Sequence, residues 1–141
     1  MTGLSKLGAA AFALWGILHI VGAAMILVAL MRNGASGAYA YYGFEGADLP
    51  DIAGSVLGYF SYLIALAGAA ALGVAARLNS RNSEIGLAIN TALTLLVEIG
   101  LIVFLLVPGH VGIMESAPGL FLAALGIVAG GLACKGEHVH A

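Results

Sequence analysis

A polar stripe runs through a long apolar stretch, residues 85–107, and carries the only carboxyl group inside such a stretch. Asn90, Thr94 and Glu98 recur every four residues, with Thr91 beside them. A helix gathers residues at this spacing onto one face. Placing a carboxyl in the middle of a membrane costs about 3 kcal/mol. Glu98 is therefore expected to face protein or water and to find a partner there.

A histidine in another apolar stretch is the natural partner for Glu98. His19 shares a helix face with small residues such as Gly16, which let a neighbouring helix come close, and Trp15 lies one turn earlier on that side. His19 and Glu98 each lie roughly 18 to 20 Å along their stretches at 1.5 Å per residue. This equal depth predicts hydrogen-bonding or one-water contact between them, with Thr94 or Asn90 satisfying the remaining lone pairs. The predicted polar centre consists of His19, Glu98, Asn90, Thr91 and Thr94.

A second candidate site lies among the connections, where polar or metal-binding chemistry would use His110, Glu115, Asp48 and Asp51. Three carboxylates, Glu45, Asp48 and Asp51, fall within seven residues and could bind a hard cation such as calcium. Their spacing does not match an EF-hand loop, so a solvated acidic loop is the preferred interpretation. His138 and His140 could chelate a transition metal, but histidines at a chain end are usually solvated. We assign no metal and identify no cofactor.

The composition of the chain predicts which secondary-structure elements position these groups. Of the 141 residues, 62% are hydrophobic and 9% are charged, and the mean hydropathy is +1.07. About 20 apolar residues cross a bilayer as a helix, which leaves room for four crossings. The 21 glycines favour close helix packing. We predict an all-α, integral membrane four-helix transmembrane bundle in a single domain, with spans at about 7–31, 52–76, 85–107 and 118–134.

The connection at 32–51 is expected to be an extracytoplasmic loop, because its glycines discourage a helix and its aromatic rings suit the membrane interface. Four spans put both termini on one side of the membrane. Positive residues near short loops mark the cytoplasmic side, so both termini should be cytoplasmic in a multi-pass protein of the cell (inner) membrane. That side would hold Lys6, Arg77, Arg81 and Lys135, whereas the other side would hold only Arg32.

Several functional classes are disfavoured by the sequence. The formal charge of −2 and the lack of a Lys/Arg cluster argue against nucleic acid as a partner. HExxH, GxSxG and P-loop motifs are missing, and Cys134 has no second cysteine to pair with. Bis-histidine haem would need a second histidine at the depth of His19, and His110 lies beyond the end of the third span.

Two functional hypotheses remain, and both have the lipid bilayer as surroundings. In the first, which the sequence favours slightly, the protein is a structural or accessory subunit of a larger membrane complex, and His19 and Glu98 hold helices together. In the second, the same pair serves a proton-coupled transporter of small solutes or a small membrane-embedded enzyme. A homo-oligomer would enlarge such a site across a symmetry axis. Expected partners are therefore other membrane subunits or copies of this chain.

Overall fold

The computed structural model describes residues 3–40 and 51–138, and it is helical almost throughout. Its four helices are α1 (Gly3–Ala40), α2 (Asp51–Arg77), α3 (Glu84–Leu101) and α4 (Ile113–His138). Each contains a stretch long and apolar enough to cross a membrane, with α3 continuing to Leu106 for this purpose. The prediction of an all-helical fold with four such segments is confirmed.

The helices form a ring in which α1 packs closely against α2 and α4, while α3 contacts both of those helices from the opposite side. Glycine makes the closest approaches. A Cβ atom on Gly16 would lie 2.5 Å from the carbonyl oxygen of Gly68 in α2, and one on Gly8 would lie 2.8 Å from the amide nitrogen of Gly130 in α4. Side chains of α1 can therefore reach α3 across the centre of the ring.

Helix α1 extends nine residues beyond the predicted end of the first span, which corrects the expectation of an irregular loop from residue 32. The helix breaks at Gly34, whose φ of 69° and ψ of −168° lie outside the helical region, in a conformation that is essentially restricted to glycine. Helical geometry then resumes to Ala40. Ala38 is buried against Ile26 and Leu57, so this short segment packs on α1 and α2.

The aromatic belt predicted for this connection can be followed only in part. Tyr39 is half-buried and packs against the cluster formed by Ile26, Ala38 and Leu57. Tyr41, Tyr42, Phe44 and Glu45 lie outside the described residues.

Two further helix boundaries differ from prediction. Helix α4 begins at Ile113, and Pro118 lies inside it instead of starting it. A proline at this position cannot donate an N–H hydrogen bond, and its ring crowds the carbonyl group four residues earlier. Helix α3 changes into a π-helical turn, Ile102–Leu106, in which the amide of Val107 bonds to the carbonyl of Ile102. This wider turn ends the helix immediately before Pro108.

The connection between α2 and α3 is short but ordered. A 3₁₀ turn spans Asn79–Arg81, and Asn82 follows with a φ of 57°. Ser83 then caps α3 by accepting a hydrogen bond from the amide of Gly86 at 3.2 Å. Asn79 is turned inward and is almost completely buried, so the turn contributes a polar group to the interior.

Candidate functional site

The centre of the ring holds a polar cluster made of Trp15 and His19 from α1 and Glu98 from α3. Nε2 of His19 lies 3.8 Å from Oε1 of Glu98. This separation is longer than a direct hydrogen bond and suits one bridging water or a small side-chain movement. We call Trp15, His19 and Glu98 the central cluster.

Trp15 makes the strongest contact in the central cluster. Its indole nitrogen donates a hydrogen bond of 2.6 Å to Oε1 of Glu98. Its ring also stacks on the imidazole of His19, with 3.9 Å between centroids and 29° between planes. The four-residue spacing on α1 places both rings on one face. Both contacts of Trp15 are stronger when Glu98 is ionised and His19 is protonated, because they become charge-assisted and cation–π interactions.

The backbone fixes the tautomer of His19. Its Nδ1 lies 2.9 Å from the carbonyl oxygen of Trp15, which can only accept a hydrogen bond, so Nδ1 must carry a proton. In the neutral imidazole, Nε2 then keeps its lone pair on the side of Glu98. The pair can hold one additional proton, either on the carboxyl group of Glu98 or on Nε2 of His19.

The two oxygens of Glu98 have different surroundings. Oε1 accepts from Trp15 and lies near His19, whereas Oε2 is buried and finds no hydrogen-bond partner within the described residues. Helix α4 approaches the carboxyl group with a glycine. A Cβ atom on Gly119 would lie only 2.8 Å from Oε1. Any larger residue at position 119 would displace the carboxyl group.

The central cluster is enclosed by apolar or small residues. Trp15 packs with Ala71 and Ala123, and leucine and valine side chains surround this core. Trp15 is 0% exposed and Glu98 is 3% exposed, whereas 14% of the His19 side chain remains accessible. Of the three side chains, that of His19 is therefore the most open to the surroundings of the bundle.

The other members of the predicted polar centre lie on the same face of α3 but do not satisfy Glu98. The hydroxyl of Thr94 donates to the carbonyl oxygens of Asn90, at 2.9 Å, and Thr91, at 3.3 Å. The amide of Asn90 donates to the carbonyl of Ala71 and to Oδ1 of Asn79, at 3.2 and 2.8 Å. The expectation that Thr94 or Asn90 would complete the bonding of Glu98 is wrong.

Three residues of this site were not expected to have these roles. Trp15 was noticed for its position, and a tryptophan N–H in an apolar span needs an acceptor, a signal that could have paired it with Glu98. Asn79 belongs to the short α2–α3 turn, for which no role in a site was predicted. Gly119 has no sequence signal that separates it from the other glycines, because its role depends on the proximity of α4 to Glu98.

The second candidate site is only partly visible. The side chains of His110 and Glu115 are exposed near the π-helical end of α3 and the start of α4. Asp48 and the side chain of Asp51 lie outside the described part of the chain, as do His140 and the side chain of His138. Within the ranges 3–40 and 51–138, no group of three or more His, Cys, Asp or Glu residues is arranged to hold a metal ion.

These features define the protein as a bundle of four helices, each long enough to cross a membrane, around a buried Trp–His–Glu cluster. No family model matches the chain, and neither a curated protein nor a solved structure shows significant similarity to it.

Proposed function

We propose that this protein is an integral membrane protein whose central cluster binds one exchangeable proton and couples that proton to the movement of a small solute or to a reaction within the membrane. Both termini would be cytoplasmic and the chain would cross the cell (inner) membrane four times. The observation that carries the proposal is the buried carboxyl of Glu98, which is held through one oxygen while the other has no described partner.

An unsatisfied carboxyl oxygen argues against a purely structural role for the pair. Residues that only hold helices together gain most when every buried donor and acceptor is paired, because each orphaned group costs about 1 to 3 kcal/mol. Ionisable groups inside apolar spans are commonly parts of proton or ion pathways. His19 adds a second titratable group within 3.8 Å of Glu98, and its side chain is partly accessible. A proton can thus be passed between Glu98 and His19.

Infrared spectroscopy of the lipid-reconstituted protein tests this proposal. During a pH titration, we expect a carboxylic acid C=O band in the wild type that is missing in Glu98→Gln, a substitution that keeps the size of the side chain. Glu84→Gln and Glu115→Gln are matched controls, because both carboxyl groups are exposed near helix starts. A wild type without a titrating band that depends on Glu98 would contradict the proposal.

An accessory-subunit role is the second candidate, and glycines on the outside of the bundle favour it. A Cβ atom on Gly73 or Gly100 would meet nothing within 4 Å. Glycine in a helix costs about 1 kcal/mol relative to alanine, and a closely packed neighbouring helix would offset this cost. The neighbour would be another membrane subunit or a second copy of this chain.

The mass and composition of the particle purified in mild detergent distinguish these possibilities. A stoichiometric second polypeptide, lost in Gly73→Leu but retained in Ala124→Leu, would support the accessory role. Ala124 is an exposed small residue of a different helix, α4, and is the matched control. Particles of this chain alone, with masses unchanged in Gly73→Leu, would contradict that role.

A further inference from the structure

We propose that Asn79, Asn90 and Thr94, here called the polar row, form a proton route from the α2–α3 turn to Oε2 of Glu98. The inference deepens the proposed function and rests on it. In this proposal, the polar row delivers the proton to Glu98, although its residues do not contact His19. The proton then moves along the bundle from the α2–α3 turn toward Glu98.

Two buried acceptors without a hydrogen-bond partner among the described residues lie at the two ends of the inner part of this route. These acceptors are Oδ1 of Asn90 and Oε2 of Glu98. The two residues are eight positions apart on one face of α3, or about 12 Å at 1.5 Å per residue. A buried acceptor without a partner is costly, so both oxygens are suited to accept hydrogen bonds from water molecules arranged between them.

Thr94 lies midway between these two acceptors and can relay a proton. Its side chain is fully buried, and its O–H is directed at the carbonyls of Asn90 and Thr91. The lone pairs of the hydroxyl oxygen stay available as acceptors. To relay a proton, the O–H must turn away from these carbonyls toward the next acceptor in the row; the hydroxyl then accepts one hydrogen bond and donates another, as a water in a chain does.

The far end of the route reaches a small polar cavity at the end of the bundle. Ser5, Asn79, Asn82 and Ser83 are among the residues lining it, and the cavity has room for about one water. Asn79 connects this cavity to the interior, because its Oδ1 accepts the hydrogen bond from Asn90. Polar groups therefore follow one another from the turn to the carboxyl group.

The proposed transfer conserves protons and breaks no carbon bond. A hydronium ion at the turn donates a proton to the first water, and each following water, or the hydroxyl of Thr94, accepts one proton and releases another. The last proton forms an O–H bond on Oε2 of Glu98. Release follows when the carboxyl group of Glu98 turns this O–H toward His19 and gives the proton to Nε2, directly or through one water. The imidazolium then returns the Nε2 proton to water. The amides of Asn79 and Asn90 orient the water and are not themselves protonated.

The surroundings of Glu98 add no competing titratable group within the described residues. His19 faces it from α1, and α4 presents Gly119. At this level α2 contributes Ala71 and α4 contributes Ala123. The rate at which Glu98 gains a proton is thus set by the access route and by His19.

Time-resolved infrared measurement of the Glu98 band after a pH jump tests the route. Thr94→Val keeps the shape of the side chain and removes the hydroxyl, so protonation should slow by about tenfold or more, with the final band amplitude unchanged. Thr94→Ser restores the hydroxyl and should recover most of the rate. Ser61→Ala is the matched control, because Ser61 is buried and donates to the carbonyl four residues earlier, as Thr94 does, but belongs to α2.

The outcomes separate the route from the proposed function. A Thr94→Val protein with the wild-type rate would overturn the route while the Glu98 band still supports proton binding. An equal slowing in Ser61→Ala would also overturn it, because the effect would then not be specific to the polar row. A wild type with no Glu98 band would overturn both inferences.

Discussion

The chemistry of the central cluster depends on one tryptophan that contacts both titratable groups. Trp15 donates to Glu98 and stacks on His19, so it holds the carboxyl and the imidazole in fixed positions relative to each other. The backbone carbonyl of Trp15 also orients the imidazole. A single residue of α1 thus sets the rotation of His19 and the position of Glu98. The geometry of the pair therefore depends on the helix turn of α1 that carries Trp15 and His19.

Removing one partner of the pair should destabilise the protein more than removing both. His19→Leu leaves Glu98 buried with Trp15 as its described donor, and we expect a loss of about 1 to 3 kcal/mol in the free energy of unfolding. In His19→Leu/Glu98→Leu both polar side chains are gone, and apolar side chains meet at the α1–α3 contact.

The corresponding measurement is a double-mutant cycle of unfolding in detergent. We expect a coupling energy of about 1 to 2 kcal/mol, near the upper end of values found between membrane helices. His110→Leu serves as the control, because His110 is exposed and remote from Glu98 in sequence. Additive effects of His19→Leu and Glu98→Leu would show that the two side chains do not interact energetically.

Sequence reasoning could predict which titratable residues approach each other but not how they are satisfied. Equal depth along two parallel spans was enough to associate His19 with Glu98, since helical rise is nearly constant. The rotation of each helix about its axis decides which neighbour reaches each oxygen. That rotation depends on packing such as Gly119 against Glu98, which the sequence does not reveal.

At the scale of helices, α1 organises the bundle through its glycine contacts with α2 and α4. Gly16 is the closest of these points, and Trp15 and His19 lie on either side of it in the sequence. The Gly16 contact therefore fixes the height at which α1 presents the central cluster. A change there should affect both helix packing and the geometry of Glu98.

Gly16→Ala should destabilise the bundle by about 1 to 3 kcal/mol, because the new Cβ would meet the backbone carbonyl of Gly68 at 2.5 Å. Backbone atoms cannot yield as a flexible side chain can. Gly22→Ala is the matched control on the same helix, since a Cβ there meets nothing within 4 Å and alanine favours the helix by about 1 kcal/mol. Thermal unfolding of the two variants in detergent makes the comparison, and equal stability would contradict the packing argument.

Helix boundaries were the weakest part of the sequence prediction, for a physical reason. Glycine and proline were used as stop and start signals, yet α1 continues past Gly34 and α4 begins before Pro118. A helix held by neighbours can tolerate one lost hydrogen bond or one non-helical residue, since the flanking turns remain packed. Ala38, buried beyond the break, supplies such packing for the end of α1.

At the scale of the whole molecule, the distribution of charge predicts one orientation of the bundle in the membrane. With Cys134→Ser as background, cysteines at Ser36 and His110 should react with a membrane-impermeant thiol reagent added to intact cells, and one at Ser80 should not. Ser36 and His110 are exposed, whereas Ser116 is buried and bonded to the Gly112 carbonyl, which makes it a poor reporter. The expected pattern follows from the excess of positive charge near the α2–α3 turn and the termini.

Permeabilised cells provide the control, because Ser80→Cys should then react as well. Reaction of Ser80→Cys in intact cells would reverse the orientation and would place the entry of the proton route on the outer side. The charge argument would then be wrong, although the geometry of the central cluster would be unaffected.

The closure of the central cluster by Gly119 has a consequence for biogenesis. Helices of a growing chain are made in order, so Trp15, His19 and Glu98 have all been synthesised before α4 is complete. Until α4 packs, the carboxyl group lacks the backbone of Gly119 that lies against it in the finished bundle. A nascent chain stalled before residue 113 would therefore display its costliest side chain toward the lipid or the insertion machinery, and completion of α4 is the event that seals it.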